Sequence, residues 1–296
     1  MGKDKLKLEG INIDIIKSLG LNEKNLKKIK DLEVLCNEHD DIKMKLNWGF
    51  LKVRPKNKVN DFLCFKDNNL VGYLGTHIYD SVAETTGMVH PEYRRKGIFT
   101  KLMSIATDIL IKKGIYKVLL ISEDATLASK KYVKNINAKL VSTEYRMILK
   151  KYNFKKTKTD LVVRKAKAID AAKRARILSI CFDMPIKDKE NYIKELHDKN
   201  KEFYVAELNN TVIGNLNVSF ADNVVIYGVG ILPEYRNKGY GKEFIKRVID
   251  NFDNDKDIIL EVNSKNNAAI KVYEKCGFNK TNTYNYYEVL LTKERD

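Results

Sequence analysis

Apolar residues recur along this chain with two alternating periods. Between residues 22 and 39, Leu26, Ile29, Leu32 and Leu35 fall on one helical face, and Asn22 stands where an N-cap belongs. Residues 41–60, with Trp48 and Pro55, lack a period and read as a loop-rich crossing. Short β-like runs over 61–65, 70–78 and 81–89 predict a meander, its first turn made by Asp67, Asn68 and Asn69. Pro91 ends the third run, and Leu102, Ala106, Ile109 and Leu110 then mark a helix. After a charged segment at 150–158 the order restarts: a strand at 161–163, helices near 166–180 and 187–197, and strands at 202–208, 211–220 and 224–231. Phe244, Ile245, Val248, Ile249 and Phe252 form an amphipathic stripe, followed by a strand at 258–262, a helix at 267–275 and an aromatic strand at 284–291. Residues 1–20 show no decisive pattern. The predicted class is α/β with an α+β mixed sheet, in two domains at 1–150 and 160–296, the charged segment between them being a linker or the frayed end of the last strand.

The two halves carry the same stretch. Val224 to Gly241 reads VVIYGVGILPEYRNKGYG, and at an offset of 142 the tetrapeptide PEYR recurs at Pro91, with Lys96 and Gly97 matching Lys238 and Gly239. Farther on, 118–122 matches 259–263, and Tyr132 matches Tyr273. In each half a strand delivers a basic, glycine-spaced loop to a helix start. Unpaired backbone N–H groups and the positive end of the helix dipole converge there on a place suited to an anion. The loop lacks the terminal GK[ST] of a Walker A site, and no G-x-G-x-x-G opens the helix as in a dinucleotide fold.

Arg236, Asn237, Lys238, Gly239, Tyr240 and Gly241 resemble the R/Q-x-x-G-x-G/A loop of the GNAT superfamily of N-acetyltransferases, and Leu260 to Asn263, Asn267, Tyr273 and Gly277-Phe278 resemble that family's second block. The resemblance covers nearly the whole chain as a tandem pair of GNAT-like acyl-CoA N-acyltransferase domains. It implies acetyl-CoA as co-substrate, an amine-bearing acceptor attacking the thioester directly, and pyrophosphate held by the loop. On that carry-over the cofactor residues are Ile231, Arg236, Asn237, Lys238, Gly239, Tyr240, Gly241, Lys242, Asn263 and Asn267. Their counterparts are Val89, Arg94, Arg95, Lys96, Gly97, Ile98, Phe99 and Ser122. Tyr273, and Tyr132 in the first half, take the family's place for the acid that protonates the leaving thiolate. Tyr273 is also spaced to pack with Ala269, and Asn267 to cap its helix.

No carboxylate of the 224–231 strand offers itself as the base, so Glu261 on the neighbouring strand is the acidic candidate, with Glu84 in the first half. Phe99 stands where the second loop has Gly241, and its bulk favours the second half as the better acetyl-CoA site. Tyr284 and Tyr286 alternate onto one face of the last strand, which in the family helps wall the acceptor pocket.

Charge changes this picture little. The excess of 55 Lys+Arg over 39 Asp+Glu leaves +16, which attracts phosphate-bearing ligands. The lysines are dispersed, with no clustered aromatic RNA-binding signature, so a noncatalytic acyl-CoA-binding or nucleic-acid-binding module is the alternative. No apolar run approaches the roughly 18 residues of a membrane helix, and the N-terminus lacks a secretory h-region, so a cytoplasmic protein is expected. Four cysteines without paired spacing predict no disulfide framework. Cys276 reads as core. Cys36 and His39 lie three apart without a second ligand pair and read as surface residues, so no metal is expected.

Overall fold

The computed structural model describes residues 3–152, 154, 159–183, 189–220, 223–252 and 256–291. It divides into two compact units: residues 1–144 with 282–296, and residues 145–281. Most of the charged segment at 150–158 lies outside the described residues.

The first unit opens with two strands where the sequence showed no pattern, β1 (Lys3–Leu8) and β2 (Ile11–Leu19). Helix α1 (Glu23–Asp40) begins as expected, with the Asn22 side chain accepting from Asn25 N at 2.8 Å. The crossing at 41–60 contains a short helix, α2 (Trp48–Lys52). The meander follows as β3 (Val59–Lys66), β4 (Asn69–Tyr79) and β5 (Val82–Val89). Asp67 and Asn68 adopt left-handed φ values of 48° and 65° at its first turn, which Asx residues tolerate. Then come α3 (Ile98–Lys112), β6 (Lys117–Glu123) and α4 (Leu127–Asn135).

Strand β7 (Lys139–Leu149) leads out of the first unit at residue 144 and into the second. The second unit continues with β8 (Val162–Lys165), α5 (Ala171–Phe182), α6 (Lys189–Glu195), β9 (Lys201–Leu208), β10 (Thr211–Phe220) and β11 (Val224–Ile231). It closes with α7 (Tyr240–Ile249), β12 (Ile258–Asn263) and α8 (Asn267–Lys275). The final strand, β13 (Asn279–Leu290), begins in the second unit and from residue 282 belongs to the first.

The compact units therefore differ from the sequence halves by an exchange of strands. In the first unit the order is β1-β2-β3-β4-β5-β6, then β13 by residues 282–290 and β7 by 139–144; in the second, the remaining parts of β13 and β7 precede β12-β11-β10-β9-β8. Apolar burial accounts for the exchange. Tyr287, Val289 and Leu291 pack into the core of α3, β3 and β6, while Met147 and Leu149 are buried with Phe244, Val248 and Leu260. Two strand pairs are parallel, β5 with β6 and β11 with β12, and the other described ladders are antiparallel.

Candidate functional site

The parallel pairs come apart. β5 and β6 are in register from Val82 opposite Lys117 to Thr85 opposite Leu120, after which β5 runs on to Val89 and β6 to Glu123. Their outer edges stay paired, β5 with β4 as far as Val89 and β6 with β13 as far as Glu123. The inner edges thus turn backbone N–H and C=O groups toward a gap. A cavity of about 370 Å³ occupies it, lined by Gly87, Met88 and Val89 on one side, Leu120, Ile121 and Ser122 on the other, and the 94–97 loop at one end. In the second unit the described pairing of β11 with β12 is at Val224 with Ile258 and Val225 with Ile259, after which the two strands separate while β11 stays paired with β10 as far as Ile231.

Each gap ends at the glycine-spaced loop. A single 3₁₀ turn, Pro91–Tyr93 or Pro233–Tyr235, precedes an extended arginine, Arg94 or Arg236. Left-handed Arg95 (φ 65°) or Asn237 (φ 62°) follows, and then left-handed Gly97 (φ 72°) or Gly239 (φ 83°) as the residue before the helix. No side chain caps α3 or α7, so the first-turn amides of both helices are left to an external acceptor.

The charged side chains of the loops mostly brace them. Arg94 Nε donates to the Val89 carbonyl at 3.0 Å, and its two terminal nitrogens bind the Asp40 carboxylate at 2.8 and 2.7 Å. Arg236 Nε donates to the Ile231 carbonyl at 2.8 Å, with Nη2 at 3.4 Å from Cys181 Sγ. Cys36 and Cys181 each donate a thiol to the same strand-end carbonyl, both at 3.5 Å. Cys36 is fully buried, which corrects its surface assignment: it belongs to the core and to the brace behind the loop. Lys96 and Lys238 fold back onto the carbonyls of Glu92 and Glu234, at 3.1 and 3.2 Å. What the first unit turns toward an anion is loop and first-turn backbone, with the Arg95 side chain at the cavity wall.

The Phe99 ring lines the cavity and leans onto the face of β5. It lies over Gly87, where an added Cβ would stand 2.7 Å from Phe99 Cε2, and meets Tyr132 edge-on at 4.7 Å. Ile98, beside it, is core. Tyr132 lines the cavity, and burial raises its phenol above the ordinary value. Ser122 Oγ lies 2.5 Å from Ser129 Oγ and donates to the Glu123 carbonyl. Val89, Arg95, Gly97, Phe99, Ser122 and Tyr132 are thereby gathered around one space.

In the second unit Gly241 is open, an added Cβ meeting only Ile231 Cγ1 at 3.8 Å, and Tyr240 and Lys242 sit in the first turn of α7. Tyr273 is 7% exposed and edge-on to Phe278 at 6.0 Å; burial and neighbouring Cys276 push its phenol up to about 12. Glu261 receives Arg146 Nη2 at 2.8 Å. Asn263 closes its own turn, accepting from Lys265 N at 2.9 Å, and Asn266, one residue before Asn267, caps α8. Among the described residues no group of three or more His, Cys, Asp or Glu has the arrangement of a metal site, and no helix is long and apolar enough to cross a membrane.

The sequence did not reveal the roof of the first unit's cavity. Ile42 and Met44, in the loop between α1 and α2, line it, and Lys45 between Met44 and Leu46 is buried against the rings of Tyr284 and Tyr286, at 5.7 and 5.2 Å. The two tyrosines share a face as alternation requires, but strand exchange puts that face in the first unit.

The family model described as the acetyltransferase (GNAT) family matches residues 27–135 and again 173–278. The chain is 33% identical over 69 residues, 22% of its length and 47% of the relative's, to a [ribosomal protein bS18]-alanine N-acetyltransferase of Escherichia coli K12. It is 27% identical over 112 residues, 32% of its length and 67% of the relative's, to an N-alpha-acetyltransferase of Saccharolobus solfataricus. The first of these matches spans about half of that relative. Among solved structures, a GCN5-related N-acetyltransferase from Sphaerobacter thermophilus superposes with a TM-score of 0.80 at 13% identity, over 95% of this chain and 97% of that one. A tandem GNAT protein from the clavulanic acid biosynthesis pathway gives 0.72 at 12% identity, over 95% and 99%. At such identities the likeness is one of fold, and it bears out the mixed α/β, tandem architecture read from the sequence.

Proposed function

This chain belongs to the acetyltransferase (GNAT) family, and we propose that it is an acetyl-CoA-dependent N-acetyltransferase whose transfer to a primary amine of a small molecule or peptide takes place in the first unit. The carrying observation is the cavity between β5 and β6, which runs from the uncapped start of α3 past the free inner edges of both strands. The residues present fit acetyl-CoA, which would supply an acetyl group as a thioester. The amides of the 95–97 loop and the first turn of α3 would hold the pyrophosphate, and the inner edge of β5 over 86–89 the pantetheine arm.

What these residues contribute is chiefly placement. Arg94 and Cys36, by fixing the Val89 carbonyl, hold the end of β5 and the loop in one geometry, so their donors are oriented before anything binds. Tyr132 holds its proton at neutral pH as phenols ordinarily do, and burial shifts its pKa further upward, so a proton is present for a leaving thiolate. The two curated relatives are named for acetylation of an alanine and of α-amino groups, which supports an amine acceptor.

Calorimetric titration of the full chain with acetyl-CoA and with RNA, followed by CoA-thiol release over a panel of amines and peptides, tests the reading. Acetyl-CoA binding and amine-dependent release are expected. RNA binding with a steep salt dependence and no acetyl-CoA binding would overturn it.

A further inference from the structure

The second unit buries a charge that its packing does not require. Arg174, early in α5, is 0% exposed. It stands seven residues before the bracing Cys181, and seven before Cys36 the first unit has Ile29. Ile29 is equally buried and wholly apolar, so packing a helix on the sheet at this position needs no guanidinium.

The guanidinium is held on one edge. Its carbon lies 4.3 Å from the centroid of the Phe203 ring and 5.5 Å from that of Tyr192. Nε donates to Asn215 Oδ1 at 3.1 Å, and Nη2 reaches Asn217 Oδ1 at 3.4 Å. The two amides are fixed in turn, with Asn215 Nδ2 donating to Asn217 Oδ1 at 3.0 Å and to the Gly228 carbonyl at 2.9 Å. Gly228 is left-handed (φ 60°), and an added Cβ would stand 2.7 Å from Asn217 Nδ2, so bare backbone leaves that amide its place.

The other edge, shared by Nη1 and Nη2, is not closed. Nη1 is buried and has no hydrogen-bond partner. The Glu195 carboxylate, at the end of α6, comes to 3.8 Å from Nη2, within reach of an ion pair and too far for a hydrogen bond. Glu195 is 38% exposed and Tyr227, also within electrostatic reach of Arg174, is 37% exposed, so the groups beside this buried edge meet solvent. Burial and Glu195 push the Tyr227 phenol up to about 12, which keeps it a donor. A buried guanidinium nitrogen without an acceptor loses its hydration for nothing in return. Two N–H groups side by side on a rigid fork match the two oxygens of a carboxylate.

We propose that Arg174 anchors a carboxylate-binding site in the second unit, which takes a small monocarboxylic acid with its two oxygens accepting from Nη1 and Nη2. Glu195 turns out to solvent to admit the ligand. It is the chain's own stand-in, neutralising the fork when no ligand is bound and competing for it otherwise. The loops and strand gaps that would hold acyl-CoA take no part in this site, and it does not depend on the transferase reading.

The experiment follows fluorine NMR line widths as the full chain is titrated into 4-fluorobenzoate or its neutral counterpart 4-fluorobenzamide at pH 7. It compares the wild type with R174M, which keeps an unbranched apolar stem, with E195Q, and with E274Q, a charge control at an exposed position of α8. The carboxylate is expected to bind at least about tenfold tighter than the amide, and R174M should erase that preference. E195Q should tighten carboxylate binding severalfold, whereas E274Q should stay within about twofold of wild type. Thermal melts verify folding; should R174M melt early, the comparison of E195Q with E274Q decides. No preference in wild type and E195Q alike, a preference kept by folded R174M, or a gain in E195Q matched by E274Q would each overturn the proposal. Displacement of the carboxylate by an equal concentration of chloride would overturn it too, by showing an unselective anion site.

Discussion

Tyr284 donates its phenolic hydrogen to the backbone carbonyl of Lys43 at 2.9 Å, tying the last strand of the chain to the loop that roofs the first unit's cavity. Beside it Tyr286 donates to Glu144 Oε2 at 2.6 Å, and Lys45 Nζ donates to Tyr286 Oη at 2.5 Å and to the same carboxylate oxygen at 3.3 Å. The roof residues Ile42 and Met44 flank Lys43 and precede Lys45, so their positions depend on side chains 241 residues away in sequence. Cutting the chain between its halves would strip β13 from the first unit, and each test below therefore uses the full chain.

Tyr284→Phe keeps the buried ring and removes the hydrogen bond to the roof. It is expected to lower stability by about 1 kcal/mol and to raise the KM for acetyl-CoA severalfold while leaving kcat near wild type. Urea denaturation followed through Trp48, the chain's one tryptophan and next to this loop, checks the first effect, and initial rates check the second. A kcat loss at unchanged KM would show that Tyr284 acts on the reaction and not through the roof.

Tyr132→Phe is expected to reduce turnover on the order of 10²-fold with little change in acetyl-CoA affinity, since it removes a proton and keeps the ring against Phe99. Tyr273→Phe should leave turnover nearly intact if the first unit does the work. The reverse ranking, measured by CoA-thiol release, would move the reaction to the second unit.

Gly87→Ala should destabilise the first unit by about 1–3 kcal/mol. Its Cβ would lie 2.7 Å from both Phe99 Cε2 and the Tyr73 carbonyl oxygen, and the backbone oxygen cannot swing away. Because the Phe99 ring can yield only by leaving its seat, acetyl-CoA binding should weaken as well. A thermal melt equal to wild type would contradict the crowding.

The Asp40–Arg94 pair gives an acid-side signature. Burial draws the Asp40 carboxyl upward, but hydrogen bonds from Arg94 and His39 outweigh it and hold the group below its ordinary value of 3.8. A carboxylate with a depressed folded-state pKa stabilises above the unfolded value and loses that contribution as pH falls through the folded one. Asp40→Asn should therefore cost about 1–3 kcal/mol at pH 7, a penalty that shrinks below about pH 4. Urea midpoints at pH 7, 4 and 3 measure it, and a penalty constant over that range would exclude the ion pair as its source.

Much of this was legible in residue order. The PEYR repeat placed both loops, and the 3.6 and 2.0 periods placed most helices and strands, because these are local properties of consecutive residues. The strand exchange was not legible. Tyr284 to Leu290 alternates equally well whichever sheet receives it, and only the packing of Tyr287, Val289 and Leu291 decides the partner. Cys36 and Cys181 looked unrelated, since their offset of 145 in sequence differs from the 142 of the loops they brace. A sequence does not show which way the Phe99 ring turns; the bare backbone of Gly87 receives it. β1, with its run of Lys and Asp, gave too little apolar contrast to mark a strand.

The most direct test of the first unit as the acyl-CoA site compares Gly97→Val with Gly239→Val by calorimetric titration of acetyl-CoA into the full chain. The two glycines are matched: both are left-handed, both precede an uncapped helix, and neither has a heavy atom within 4 Å of an added Cβ. The strain of substitution is thus similar, about 1–2 kcal/mol, and any difference in binding reports which loop meets the ligand. The structure leads us to expect binding lost or weakened more than about tenfold in Gly97→Val and retained in Gly239→Val. Binding retained in Gly97→Val and lost in Gly239→Val would contradict the account and assign acetyl-CoA to the second unit.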